Sequence, residues 1–260
     1  MSEKAKFRPT ERFSGLADIY AKARPSYPDA AIDFILSHCK LTKGSTLADI
    51  GCGTGISTRL FSKRGVNVIG VEPNDDMRGQ AQSAEPSSDS ATVEYRNGTG
   101  EHSQLEDKSV DGVIAAQAFH WFEPEEALIE FHRILKPHAC TILMWNERDE
   151  SDPFTTEYGD IIRAQKGTEA VESQRGSRAG QPLLNSKLFT DAALFKFANE
   201  QVVSEEGLIM RACSASYAPT EDEPLNLMKE QLSRVFRKFA QNELVSIKYE
   251  TLVFTGQRTD

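Results

Sequence analysis

The residues with the most chemical meaning stand together in Leu47-Ala48-Asp49-Ile50-Gly51-Cys52-Gly53-Thr54-Gly55. Thr46–Ile50 is a short apolar run of strand type, and Ile56, Leu60 and Phe61 then recur at helical spacing. A strand therefore ends in an acid, turns on glycines and enters a helix. Glycine lets the backbone turn sharply and approach a ligand with no Cβ in the way. The helix start adds orphan N–H donors and a positive dipole end. Dinucleotide binders space this turn as GxGxxG, whereas here Gly55 comes one residue earlier. Asp49 repels a pyrophosphate and attracts an ammonium group. That combination points to a ligand with a cationic amino-acid end and an adenosine tail. Glu72 ends the next apolar run, Asn67–Val71. Its two oxygens can accept both hydroxyls of a ribose; the other reading is a surface carboxylate or a helix cap before Pro73.

The elements that must position these residues alternate. Helical stripes are predicted over 29–39, over 56–64 with Gly65 as its stop, and from an Asn74 cap to about Ala84. A third strand is predicted at Val93–Arg96, a fourth at 110–119, and a helix from Pro124 to its close at Pro137. A fifth strand follows at 140–145. This alternation means a parallel sheet with helices on both faces. Later come a helix at 153–165, a polar stretch at 167–181 that reads as a mobile loop or lid, and a sixth strand at 197–203. The stripe Leu225, Met228, Leu232, Val235, Phe236 and Phe239 reads as an amphipathic helix, and alternation from Val245 as a final strand.

The 260 residues carry 30 Lys+Arg against 39 Asp+Glu, a formal charge of -9. An acidic chain gains nothing from the bulk field of a phosphate backbone, so nucleic acid is not the expected partner. No apolar run approaches the roughly 20 residues of a membrane span, and Met1–Thr10 lacks a signal-like apolar core. A soluble, cytoplasmic protein is the expectation. Cys39, Cys52, Cys140 and Cys213 form no CxxC pair, and the five histidines form no HxxxH or HExxH, so no bound metal is expected.

With these residues in view, the chain resembles the class I S-adenosylmethionine-dependent methyltransferases, most strongly over 14–148. Asp49 to Gly55 looks like that superfamily's first motif and Glu72 like its ribose-binding acid. Gly98-Thr99-Gly100-Glu101 sits where relatives carry an acidic segment beside the adenine, with Thr99 replacing the usual acid. The resemblance implies a Rossmann-like α/β fold: a seven-stranded, mostly parallel sheet with helices on both faces and one antiparallel C-terminal strand. It implies one domain over 1–260, with a helical cap or lid over 1–40, a cofactor-binding core over 41–148, and sheet completion and substrate-side segments over 149–260. The implied cofactor is S-adenosylmethionine, released as S-adenosylhomocysteine. Tyr20, Arg24, Asp49, Gly51, Cys52, Gly53, Gly55, Glu72, Pro73, Met77, Thr99, Gly100, Glu101 and Gln117 are its implied contacts. Residues 20–28 and Ala118-Phe119-His120-Trp121 resemble the small-molecule branch that includes trans-aconitate methyltransferase-like proteins, which implies a small acceptor, with a carboxylate the first choice.

Several residues keep two readings. Arg24 bridges the cofactor carboxylate or pairs with a surface acid. Tyr20 and Tyr27 form a lid or pack a helix. His120 ends a strand where ligands bind and serves as a base or touches substrate, or it is a hydrogen-bonded structural histidine. Trp121 and Phe122 wall the pocket or pack the core. Arg211 suits an anionic substrate or is a solvated cation. Rival functions are a cofactor-binding protein without turnover and a methyltransferase acting on a phenol, a carbon or a nucleic acid. A nicotinamide oxidoreductase is disfavoured by the glycine spacing and by Asp49. Oligomeric state is left open.

Overall fold

Alternating burial builds the sheet. In Thr46–Ile50 (β1), Leu47 and Ala48 are both fully buried but belong to opposite hydrophobic clusters, as the period-two pleat requires. The chain then runs Ile56–Ser62 (α2), Asn67–Val71 (β2), Asp75–Ser83 (α3), Val93–Arg96 (β3) and Val110–Ala116 (β4), after an initial helix, Asp29–His38 (α1). Pro124–Ile134 (α4), Leu135–Arg148 (β5), Pro153–Arg163 (α5), Gln181–Leu184 (α6), Phe189–Val203 (β6), Glu205–Cys213 (α7), Asp222–Phe239 (α8) and Val245–Arg258 (β7) complete it. The computed structural model describes residues 24–84, 91–165, 178–215, 218–219 and 221–260. Tyr20 and most of the expected 1–40 cap lie outside these residues, as does most of the polar stretch 167–181.

The seven strands lie in the order β3-β2-β1-β4-β5-β7-β6. β1 to β5 are parallel, and β7 inserts antiparallel between β5 and β6. The expected sheet, with one antiparallel C-terminal strand, is the observed one. One face is covered by Ile32 and Ile35 of α1 and Phe61 of α2. The other is covered by Leu128, Phe131 and Ile134 of α4. A third cluster packs Phe154, Tyr158, Leu208, Met228, Leu232 and Phe236 from α5, α7 and α8 over the Val245–Tyr249 end of β7. From β1 the chain extends outward to β2 and β3, then returns to place β4 on the other flank. That reversal leaves a crevice at the carboxyl ends of β1 and β4.

Three boundaries differ from expectation. β4 stops at Ala116 rather than 119, because Gln117 adopts φ 56 and Phe119–Trp121 forms a 3-10 turn. Pro137 does not close α4 but lies within β5, before the ladder to β7 begins at Cys140. Its missing N–H therefore breaks no bond of that ladder. β6 begins at Phe189, not 197; a register shift between Thr190 and Ala193 hides its alternation. The caps follow the sequence: Asn74 accepts from Met77 N at 2.9 Å, and Pro124 occupies the first turn of α4.

One buried acid ties α4 to the loop that approaches the crevice. Glu130 accepts from Ser103 N at 2.8 Å, from Ser103 Oγ at 2.5 Å, and from Arg133 at 2.8 Å. Burial pushes this carboxyl up, but the Arg133 and Ser103 hydrogen bonds outweigh it, and the pKa ends below its ordinary 4.5. A depressed folded pKa adds stability that is present above the unfolded value and lost as pH falls through the folded one. Denaturant unfolding of Glu130→Gln should therefore show a smaller loss of stability below about pH 4.5 than the parent shows. An identical acid limb in both proteins would reject this.

Candidate functional site

A cavity of about 1180 Å³, counting its open mouth, lies at the crevice. Its floor is the turn after β1. Gly51 has φ 71, and an added Cβ would stand 2.6 Å from the Cβ of Ala118 and 3.1 Å from the Phe122 ring. Only glycine both holds that left-handed backbone without strain and admits the opposite wall so closely. Gly51, Cys52, Gly53 and Thr54 line the cavity, followed by Ile56 and Ser57 from the start of α2. Gly55 does not line it. It holds φ 76 before α2 and lets the Tyr95 hydroxyl pass where a Cβ would be 2.5 Å away.

Glu72 stands at the carboxyl end of β2 and is buried. Its Oε2 accepts from Gly53 N at 3.0 Å and its Oε1 from Asn74 N at 2.9 Å. The carboxylate thus clamps the glycine turn to the cap of α3. Each oxygen retains acceptor capacity, since an ionised carboxylate offers about four lone-pair sites. Desolvation raises its pKa above 4.5, partly opposed by the Asn74 and Gly53 N–H groups and by Arg78. Pro73, and Met77 from α3, line the cavity beside it.

Asp49 is placed differently from the expectation of a direct ligand contact. It is fully buried and stands behind the cavity wall rather than in it. Its Oδ2 accepts from Ser57 Oγ and Thr58 Oγ1, both at 2.6 Å. Its Oδ1 is buried without a hydrogen-bond partner among the described residues. Burial raises its pKa, with the two hydroxyl bonds opposing. Ser57, which the sequence reading passed over, is the group through which Asp49 meets the cavity.

Thr99, Gly100 and Glu101 form a third wall. Thr99 is occupied in closing its own turn, accepting from His102 N at 3.1 Å. Glu101 accepts from Glu123 N at 2.8 Å, at the entry to α4. Gly100 packs against Phe122, whose ring would lie 2.4 Å from any added Cβ. Ala116, Gln117, Ala118, Trp121 and Phe122 close the β4 side. Two arginines complete the ring. Arg24 lines the cavity with Pro25 and Tyr27, and its Nη2 donates to Ser214 O at 3.1 Å. Arg211 reaches in from α7 and is only 5% exposed. It is not the solvated cation that its sequence context allows.

His120 stands apart from the cavity-lining residues. It does not line the cavity. The 3-10 turn puts Trp121 in the wall and His120 against two indoles: its ring lies 4.9 Å from that of Trp121, and Trp145 Nε1 donates to its Nδ1 at 3.4 Å. A ring nitrogen that accepts this bond is not open to take a substrate proton. Among the described residues no histidine lines the cavity, and no group of three His, Cys, Asp or Glu side chains is placed to hold a metal ion. Thr54, Ile56 and Asn146 are likewise missed. Asn146 lines the cavity from the end of β5, where only the strand register could place it.

Comparison with known proteins bears on what this cavity serves. Residues 48–143, which hold the glycine turn, Glu72 and the β4 wall, match the family model described as methyltransferase domain. The chain is 38% identical over 150 residues to an uncharacterized methyltransferase of Mycobacterium tuberculosis, which is 58% of each chain. That likeness thus spans little more than half of either protein. An uncharacterized methyltransferase-like protein of Schizosaccharomyces pombe is 28% identical over 243 residues, 92% of each chain. In fold, the chain is similar to a Haemonchus contortus N-methyltransferase solved with phosphomonomethylethanolamine and S-adenosylhomocysteine. The TM-score is 0.58 at 12% identity, covering 100% of this chain and 61% of that one. The seven-stranded sheet is thus the Rossmann-like fold expected from sequence, shared with that N-methyltransferase.

The tight packing of the glycine turn makes a direct prediction. Gly51→Ala must displace Ala118 or Phe122 and strain a left-handed residue. Denaturant melts should show a loss of about 1–3 kcal/mol, the usual cost of overpacking. A variant as stable as the parent would mean that the β4 wall does not bear on this turn.

Proposed function

We propose that the protein is an S-adenosylmethionine-dependent methyltransferase acting on a small anionic acceptor, with a carboxylate oxygen as the atom methylated. The observation that carries the cofactor reading is the Glu72 clamp: a buried carboxylate held by Gly53 N and Asn74 N, with spare acceptor capacity, in a cavity whose walls lie largely within the residues similar to a methyltransferase-domain family. In this reading Glu72 takes the ribose hydroxyls. Pro73, Met77 and Phe122 enclose the adenine with Thr99, Gly100 and Glu101. Gly51, Cys52 and Gly53 let the backbone approach, and Gln117 stands on the β4 side. Asp49 favours the ligand's positive end through Ser57 and through its own unpaired Oδ1. Arg24 holds the amino-acid carboxylate, which a guanidinium grips with two parallel bonds. The residues present therefore suit the ligand at its ribose, its base and both charges of its amino-acid end.

When bound, S-adenosylmethionine supplies a methyl carbon on a sulfonium, and the acceptor lone pair that takes it leaves the neutral thioether S-adenosylhomocysteine. The protein's part is alignment and exclusion of water. Arg211, buried in the wall, supports an acidic acceptor by giving its charge a partner. A carboxylate is ionised near neutral pH and needs no base, in keeping with the position of His120 outside the cavity. Residues 20–28 and Ala118 to Trp121 add the resemblance to the small-molecule branch that includes trans-aconitate methyltransferase-like proteins.

Two measurements test this. At about a hundred times Kd a native-state ligand stabilises by about 2.7 kcal/mol, so S-adenosylhomocysteine should raise the melting temperature while NAD does not. Glu72→Ala should weaken its binding by about 1.5–3 kcal/mol, the range for hydrogen bonds to charged groups. A larger shift with NAD, or calorimetric affinity unchanged in Glu72→Ala, defeats the cofactor assignment.

For the acceptor, small acids and phenols are incubated with S-adenosylmethionine and screened by mass spectrometry for a gain of one CH2. Acids should gain it. Arg211→Gln should raise KM for the acid more than it lowers kcat, and His120→Gln should leave kcat within about twofold, far from the 10²–10⁴ of a lost general base. Gain on phenols alone, with kcat collapsing in His120→Gln, would reverse the acceptor reading. Cofactor binding with no product from any acceptor would leave a binding protein.

A further inference from the structure

One backbone oxygen in the N-terminal wall of the cavity takes two side-chain hydrogen bonds from the sheet. Arg24, Pro25 and Tyr27 line the cavity, and Ser26, between them, is exposed. The Ser26 carbonyl accepts from Asn146 Nδ2 at 3.1 Å and from Asn199 Nδ2 at 2.9 Å. The two asparagines are bound to each other: Asn199 Nδ2 also donates to Asn146 Oδ1 at 3.1 Å. Asn146 Oδ1 takes a further bond from Thr251 Oγ1 at 2.6 Å. These side chains come from β5, β6 and β7, with β7 lying between the other two. Asn146 therefore spends its donor on Ser26 and its acceptor on the sheet, so its amide orientation is determined by its partners.

We propose that Asn146 and Asn199 are positioning residues that seat residues 24–27 and thereby aim Arg24 into the cavity; this rests on the cofactor reading above. Two donors on one carbonyl use both of its lone pairs, which restricts rotation of the chain at Ser26 more than one bond would. Arg24 is anchored again at its other end, where Nη2 meets Ser214 O at the close of α7. With Ser26 seated, its guanidinium stays beside the helix that carries Arg211. Without that seat, the backbone that carries Arg24 is less restrained, and the ligand bears more of the entropy of ordering it. The sheet thus pre-organises a cation that the local sequence cannot hold by itself.

Asn199 is the position to change, since it lies at the outer strand and Asn146 keeps the fully buried Thr251 satisfied. S-adenosylhomocysteine carries the amino-acid end that Arg24 would meet; 5′-methylthioadenosine lacks it. Calorimetry should show Asn199→Ala weakening the first by about three- to tenfold, the equivalent of one ordinary hydrogen bond, with the second unchanged. In an Arg24→Ala background the same substitution should cost nothing more, because both changes act through one group. Amide exchange at 26–27 in the free protein should quicken in Asn199→Ala. Equal losses for both ligands, additive losses with Arg24→Ala, or parent affinity for both overturns the proposal. If the parent binds neither ligand, the cofactor reading fails instead, and unchanged exchange at 26–27 then overturns the seat on its own.

Discussion

The site depends on one carboxylate bonded to two loops. Glu72 reaches from the end of β2 to Gly53 N in the turn after β1 and to Asn74 N at the start of α3. Parallel strands hold their carboxyl ends side by side, but nothing in a ladder fixes the loops beyond them. Glu72 does so, and the cost is desolvation of a charge. Asp49 adds a second buried acid near enough to raise the pKa of Glu72 further. Burial pushes the Cys52 thiol well above its ordinary value, and the two acids add to that. Burial thus disfavours the ionised form of two carboxyls and a thiol at or behind the cavity floor. A bound cation relieves that tension. In the proposed reading, the sulfonium and ammonium of the ligand offset repulsion that folding leaves unresolved.

The same field explains how the opposite side is furnished. Arg24 and Arg211 come from segments far from the glycine turn in sequence, on either side of the sheet-forming core. The acids stand on the β1–β2–β3 side of the crevice, and the arginines enter from the N-terminal segment and α7. A zwitterionic amino-acid end meets opposite charges along such a gradient. Buried guanidinium groups are costly in isolation and are retained where they meet anions or carbonyls. The Ser214 carbonyl serves Arg24 in that way.

How much of this was legible depended on how local each requirement is. The β1 turn is a backbone problem, and backbone problems are written in glycine: the turn, β1 and β2 lie at the predicted residues. The Asn74 cap is equally local. His120 looked placed for catalysis because the apolar run to Phe119 reads as continuous strand. Periodicity cannot register the left-handed Gln117, whose N donates to Met144 O at 2.8 Å and turns the chain into a 3-10 element. One turn later the alternation has lost its meaning, and Trp121 takes the wall. Pro137 misled in the reverse sense, since it falls at the irregularity of the β4 ladder and before the β7 ladder begins, where a proline is harmless.

Asn146, Asn199 and Arg211 belong to a different category. Each is an ordinary polar residue in its own segment, and its role arises only when β7 inserts antiparallel and sets β5 and β6 at its flanks. The register pairs Asn146 with Thr251 and Asn199 with Tyr249, so one pleat direction brings both amides toward the segment from Arg24 to Tyr27. A slip of one residue would turn those side chains to the other face. The C-terminal strands are thus more than an edge for the sheet. The contacts between Ser26 and β5 and β6 close long loops, whose entropy must be overcome before the seat exists. It follows that, in the proposed reading, the nucleotide end of the cavity is built by the matched core at 48–143, whereas the end facing the charged tail and the acceptor requires the last strands to be in register. A protein of this construction can keep the Glu72 clamp while the opposite end of its cavity diverges, because the two ends are fixed by separate sets of bonds.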